Sequence, residues 1–334
     1  MKAIATMIAC AAATTAVTVG PALSEQREIV IGIECDRTGP TQIVGVNVCP
    51  AYQDYINLVN LRGGVEGYRI KGDEIDMEYK VPPAVEAYER QKAEGAVSIM
   101  LWGTPATQAL TQKLNEDKIP GTSPGYGTAA AANGLRYPYL FPIAATYWTQ
   151  SAAVIKFIKD KLGGSLDGKK IAYLLYDNPG GHEPLAIFEE LRKVEKFELK
   201  TFAVPPPGVE MGAQILDITQ RFRPDFVITH LFGRSPSVSI KELKRNGYPL
   251  SKVVGFVWGS AEADVEAAGG WSVAEGYHTI QFAGVGDDYP VRNDIVEMYK
   301  AEGKQPPKVM QETVYYNRGL LTAALHVEAI RPPS

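Results

Sequence analysis

From Glu28 to Ile330 the chain switches again and again between two hydrophobic periods, and that switching leaves few folds open to it. Runs such as Glu28–Glu34 (EIVIGIE), Ala96–Trp102 (AVSIMLW), Lys169–Tyr176 (KKIAYLLY), Asp225–Leu231 (DFVITHL) and Val253–Trp258 (VVGFVW) are short and almost continuously apolar. Runs of that length read as strands buried on both faces. Between and after them, Cys49–Leu61, Ala84–Glu94, Thr149–Leu162, Pro184–Val194, Met211–Phe222, Ala261–Ala268, Val291–Glu302 and Val309–Ile330 carry helical spacing. Phe197–Val204 and Gly276–Phe282 add two more strands. Regular strand–helix alternation specifies an α/β class with mostly parallel sheets, and 334 residues suffice for two such units.

One stretch within this series invites a chemical reading. Ala96–Trp102 ends at Gly103, and a helical pattern opens at Thr104-Pro105. Thr104 is expected to cap that helix, with Pro105 in its first turn. Such a join aims free backbone N–H groups and the positive end of a helix out of a strand's carboxyl end, where open α/β sheets bind ligands. The join recurs at Phe232-Gly233-Arg234-Ser235-Pro236 and, in variant form, at Trp258-Gly259-Ser260. Facing one another, these joins would wall a cleft with aromatics and supply N–H donors, a combination suited to a small molecule with an apolar body and an anionic head.

Other chemistry finds little support. The net charge of −4, with basic residues dispersed, gives no sign of nucleic-acid binding. No metal or cofactor is expected: neither Cys35 nor Cys49 has a partner at zinc spacing. The four histidines, His182, His230, His278 and His326, are evenly spaced, but their flanking residues share nothing. Gly125–Ala130 fits G-x-G-x-x-A, yet it follows no long strand and no suitable acid follows it, so a nucleotide-dependent enzyme is the weakest of the readings. No catalytic elbow or S-x-x-K nucleophile occurs, which weighs against an enzyme without excluding one.

The first 24 residues read as a cleaved signal peptide, with Lys2, a mild apolar stretch over Ala3–Val19, and small residues at Ala22 and Ser24. No later run reaches the about 18 apolar residues that span a bilayer. In an oxidising compartment Cys35 and Cys49 either pair, stapling Asp36–Val48 with about 3 kcal/mol, or stay as two buried thiols.

With these features in order, the chain resembles the type I periplasmic solute-binding proteins of ABC importers, in particular the branched-chain-amino-acid-binding group. The resemblance rests on Thr38-Gly39-Pro40, Asn57–Gly67 (NLVNLRGGVEG), Asp76 with Pro82-Pro83, Gly103–Gln108, Ser123-Pro124-Gly125, and Tyr176-Asp177 with Gly180-Gly181. It implies a two-lobed fold that closes on ligand like a flytrap, with three crossovers. It assigns residues 25–143 plus 280–334 to an N-terminal lobe and 144–279 to a C-terminal lobe. It also implies that the chain is not an enzyme but a monomer that hands a small-molecule ligand to an inner-membrane permease; a sensor of the same fold feeding a receptor is the alternative. Thr104 takes a position that holds a ligand carboxylate, with Trp102 and Gly103 beside it. Gly125, Tyr126 and Gly127 fall at the ligand's polar head, and Gly181, Phe232 and Trp258 close from the second lobe.

Two departures qualify the resemblance. Amino-acid binders of this group place an acid near Val257–Trp258 for the ligand ammonium, and a hydroxyl near Gly127; neither is evident here. Burying an ammonium without a partner costs several kcal/mol, which points to a carboxylate lacking the amine, aromatic acids included. Family members also continue beyond a helix like Val309–Ile330, so the ending at Arg331–Ser334 raises an expectation of truncation.

Overall fold

The computed structural model describes residues 27–123, 128–286 and 288–332. The leader expected over residues 1–24 lies outside them, as do Gly125, Tyr126 and Gly127.

Two five-stranded sheets, parallel throughout, organise the chain. The first contains β1 (Glu28–Cys35), β2 (Arg69–Asp76), β3 (Ala96–Met100), β4 (Gly121–Ser123) and β5 (Leu140–Pro142), in the order β2-β1-β3-β4-β5. Its connections carry α1 (Gln42–Leu61), α2 (Val81–Ala93) and α3 (Thr104–Asp117). The second contains β6 (Lys170–Tyr176), β7 (Glu198–Val204), β8 (Phe226–His230), β9 (Val253–Gly255) and β10 (His278–Thr279), in the order β10-β9-β8-β6-β7. Around it lie α4 (Tyr147–Lys161), α5 (Pro179–His182), α6 (Leu185–Glu195), α7 (Gly212–Leu216), α8 (Ser235–Arg245), α9 (Glu262–Ala268) and α10 (Trp271–Ala274). The chain then returns through α11 (Pro290–Ala301) and α12 (Val309–Glu312) to α13 (Val314–Ile330), which lies along α1. The fold is therefore the two-lobed α/β architecture, and among the described residues the chain passes between the lobes twice.

The central strands are apolar because both their faces are covered. Ile171, Ala172, Tyr173, Leu174 and Leu175 of β6 are all buried, as are Ile31 and Ile33 of β1 against Val48, Cys49 and Tyr52 of α1. Each large aliphatic or aromatic side chain among them contributes about 1.5–3 kcal/mol through burial. Polar contacts fix the returning helices: the Asp54 carboxylate of α1 accepts Tyr299 Oη–H at 2.7 Å and Tyr316 Oη–H at 2.6 Å. His326 of α13 bridges Ser98 (2.9 Å) and Thr122 (2.6 Å) on β3 and β4. Its burial pushes the imidazole down to about 4.

Cys35 and Cys49 are joined as a disulfide, tying the end of β1 to α1. The segment between them is not a plain loop. The Asp36 carboxylate accepts the N–H of Gly39 (2.5 Å), the N–H of Thr41 (2.7 Å) and the Thr41 hydroxyl (2.6 Å). That folds the turn tightly enough for α1 to begin at Gln42 instead of Cys49. Pro50 is accommodated inside α1, where the bond it cannot donate would have gone to the carbonyl of the exposed Val46. The terminal helix expected over Val309–Ile330 is divided. Thr313 adopts an extended conformation, and its hydroxyl accepts Tyr315 N–H at 3.2 Å, which separates α12 from α13.

Candidate ligand cleft

The carboxyl ends of the two sheets face a common cavity of about 30 Å³. From the first lobe it is lined by Thr41, Val44, Tyr79, Trp102, Gly103, Thr104 and Ser123. Tyr147, Phe232, Gly233 and Trp258 line it from the second. That volume holds about two waters, so the lobes stand closed, and a larger guest enters only by their opening.

The first-lobe jaw differs from the expected one in its cap. Gly103, not Thr104, is the N-cap of α3, and Thr104 is its first helical residue. Gly103 sits at φ 80°, ψ 155°, a region essentially restricted to glycine. Its carbonyl accepts both the N–H (3.1 Å) and the hydroxyl (2.8 Å) of Thr107. The Thr104 hydroxyl is consequently not spent on capping, and it makes no hydrogen bond among the described residues. It lies at the cavity beside the free N–H groups of the first helical turn.

Trp102 is held from two sides. Its Nε1–H donates to Thr41 Oγ1 at 3.0 Å, and the Thr41 hydroxyl in turn donates to Asp36. Its backbone N–H donates to Glu34 Oε2 at 3.2 Å. Glu34 is fully buried, its other carboxyl oxygen has no partner, and burial raises its pKa to about 8. A neutral acid thus underlies the jaw at pH 7, which keeps a negative charge away from an incoming anion.

The second-lobe wall is aromatic. Trp258 Nε1–H donates to Tyr147 Oη at 2.8 Å. Behind Tyr147 and Phe232 lies His230, with ring centroids at 4.3 and 4.9 Å. Tyr173 Oη is 2.7 Å from the Gly181 carbonyl and 2.8 Å from His230 Nδ1. Because the carbonyl can only accept, Tyr173 donates to it and Nδ1–H donates to Tyr173. Burial lowers His230 to about 3, so the ring is neutral. Gly181 is absorbed in this packing and does not line the cavity; its neighbour Gly180 does approach Thr104, where an added Cβ would stand 3.1 Å from the hydroxyl. Arg234 is exposed on the surface.

Beyond Trp258 the structure places a charge. The guanidinium of Arg318, on α13, lies over the rings of Trp258, Phe282 and Tyr315 at 5.4, 5.1 and 4.9 Å. Its Nη2 donates to Ser260 Oγ (2.5 Å) and Gln281 Oε1 (3.0 Å). Arg318 is fully buried. Asp264, close by, accepts Tyr315 Oη–H at 3.0 Å, and burial raises it to about 7.

Of the residues expected in the cleft, Trp102, Gly103, Thr104, Phe232 and Trp258 come together. Thr41, Tyr79 and Tyr147 join them, although sequence reasoning does not single them out. Tyr147 carries a faint signal as the first residue of a helix capped by Thr146, whose hydroxyl accepts Thr149 N–H. Tyr79 carries none: it enters from a turn in which Glu78 and Tyr79 both have positive φ. A larger hollow of about 660 Å³ lies between α1, α11 and α13, but it is an open groove between helices, away from the strand ends and the α3 N-terminus. The candidate site is therefore the smaller cavity. Cys35, Cys49 and Glu74 also cluster, yet the two sulfurs are bonded to each other and Glu74 forms a bidentate pair with Arg37.

Comparison with known proteins agrees with this architecture. A family model described as periplasmic binding protein matches residues 28–329. A solved structure from the Pseudomonas fluorescens group, described as an ABC transporter permease, is 33% identical, with TM-score 0.78, over 92% of this chain and 75% of its own. A branched-chain amino acid ABC transporter from Thermus thermophilus with bound valine superposes with TM-score 0.80 at 21% identity, over 92% of this chain and 78% of its own. A fatty acid ABC transporter substrate-binding protein from Thermomonospora curvata gives 0.76 at 20%, over 91% and 75%. No curated protein matches the chain.

Proposed function

Because this chain belongs to the periplasmic binding protein family, we propose that it captures a small carboxylate between its lobes and delivers it to an ABC permease in the inner membrane. The observation that carries this reading is the unspent hydroxyl of Thr104 beside the N–H groups of the first turn of α3. Those groups form a ready anion cradle. The remaining lining is aromatic or small, and no carboxylate lines the cavity among the described residues. An α-amino acid would bring an ammonium into this cavity with no anionic partner there, so an amine-lacking acid with an apolar or aromatic body fits better.

A thermal-shift panel of amino acids, aliphatic acids, aromatic acids and their amides tests the reading. A bound acid raises the unfolding midpoint by mass action. Thr104→Val should then weaken its binding by about tenfold, the scale of one charge-assisted hydrogen bond. An unchanged affinity would remove Thr104 from the site, and a panel with no carboxylate hit would remove the function.

A further inference from the structure

We propose that Arg318 is a specificity-determining residue: acting through the indole of Trp258, its buried cation selects ligands by charge, favouring anions and rejecting cations. The inference rests on the carboxylate-capture reading above and deepens it. Arg318 does not line the cavity, whereas Trp258 does, so the indole separates the guanidinium from a guest.

Three observations support the assignment. First, the charge is real and makes no direct ion pair among the described residues. Arginine stays protonated in proteins, and no carboxylate lies within ion-pair distance of this one among the described residues. Its Nε and Nη1 are buried without hydrogen-bond partners. Asp264, the acid that interacts with it electrostatically, directs its Oδ2 to Tyr315 and to the Ala261 N–H. Second, the position is fixed. Ser260 and Gln281 hold Nη2, and three aromatic rings enclose the planar head, so the charge cannot swing out to water as a surface arginine would. Third, the intervening medium transmits the field. A cation over one face of an indole draws on the same π density that would attract a cation to the ring from elsewhere. A guest against Trp258 therefore meets a wall biased against an ammonium and toward a carboxylate.

On the cleft's other side the Asp36 carboxylate lies behind Thr41, its charge spread over three short hydrogen bonds from the turn it organises; the selectivity assigned to Arg318 is therefore read as a difference between variants, in which the Asp36 contribution is constant. By Coulomb's law, a unit charge on the order of 10 Å away in a partly screened interior changes affinity by on the order of tenfold.

The test uses benzoate, benzamide and benzamidinium, three guests of one shape and three charges, titrated calorimetrically into the full chain. The wild-type protein should bind benzoate best and benzamidinium worst. Arg318→Met should weaken benzoate by about tenfold while leaving benzamide nearly unchanged, and Arg318→Lys should restore much of the preference. A purely structural role would lower all affinities together and leave the benzoate-to-benzamide ratio where it was; that result would overturn the proposal. If Arg318→Met does not fold, the wild-type series still decides: benzamidinium bound as tightly as benzoate would overturn it. Failure of the wild-type protein to bind benzoate at all would overturn the proposal together with the aromatic-carboxylate reading beneath it. Benzoate binding with an unmoved ratio would overturn the proposal alone.

Discussion

Asn178 of the second lobe donates its Nδ2–H to the phenol oxygen of Tyr79 in the first, at 3.2 Å across the mouth of the cleft. The same Asn178 receives the Gly181 N–H on its Oδ1 at 2.9 Å, so the donor amide is already aimed before the lobes meet. The bond joins the two lobes, so parting them at this point would break it. Tyr79→Phe removes it and leaves the Asn178 cap intact. A single such bond contributes about 1 kcal/mol, so the closed population should fall about fivefold relative to the open one. Small-angle scattering should show a larger radius of gyration for the variant, and an unchanged radius would remove the latch.

Two glycines govern how closely the jaws meet. At Gly103, φ is 80° and a Cβ would collide with the Cε2 edge of the Tyr79 ring. Gly103→Ala should therefore cost about 1–3 kcal/mol of stability and displace Thr104, reading out as a lowered midpoint and weakened ligand binding together.

Gly233 poses a different constraint. A Cβ there would overlap the carbonyl of Pro40, in the opposite lobe. Gly233→Ala should then hinder closure far more than it hinders folding. The expected result is a midpoint lowered only modestly, by the left-handed φ of 61°, with affinity reduced by about tenfold or more. Affinity equal to wild type would show that closure does not depend on that contact.

Stability should fall on the alkaline side. Folding raises Glu34 from 4.5 to about 8 and Asp264 from 3.8 to about 7. Between those limits the folded protein keeps protons the unfolded chain has released, so stability declines as pH rises. His230 and His326, lowered from 6.5 to about 3 and about 4, act in the opposite sense: the unfolded chain binds protons that the folded one refuses, and stability is lost as pH falls below 6.5. These four groups together predict a plateau near pH 4.5–6.5 and losses on either side. Glu34→Gln should flatten the decline between pH 6.5 and 8 by about 2 kcal/mol, measured by urea unfolding across that range. An alkaline limb as steep as wild type would mean that Glu34 is not held protonated by folding.

Reduction of the Cys35–Cys49 bond should lower stability by about 3 kcal/mol, since the loop it closes spans a sequence separation of 14. Unfolding with and without a thiol reductant measures this directly, and mass spectrometry of alkylated protein reports the oxidation state.

The parts of the cleft that are legible in the amino-acid sequence are those set by local rules. Trp102, Thr104, Phe232 and Trp258 each follow a short apolar run, and in a parallel sheet the residues just past a strand's carboxyl end face the ligand. The alternation of periods likewise specifies two parallel sheets. Finer details depend on packing at a distance. Threonine favours the cap position, which points to Thr104, but Gly103 adopts a backbone geometry that threonine cannot, and it takes the place. Gly181 and Gly180 are indistinguishable by pattern; only the bond from Tyr173 to the Gly181 carbonyl decides which of them turns toward Thr104. Arg318 sits in a helix of ordinary spacing, and nothing near it in sequence signals that Trp258, 60 positions earlier by their numbering, will stack on it.

The pairing of α13 with α1 has a temporal side. Residues from α4 to β10 are contiguous, so the second lobe contains all of its own strands by the time Thr279 has emerged. The first lobe does not: the face of α1 that carries Val48 and Ala51 is covered by α13, with Gly319 set against the Val48 carbonyl so closely that no side chain would fit. During synthesis that face stays bare until the whole second lobe has followed it. The second lobe can thus complete its sheet from one contiguous stretch, whereas the first lobe must wait for the last helix of the chain before α1 is covered.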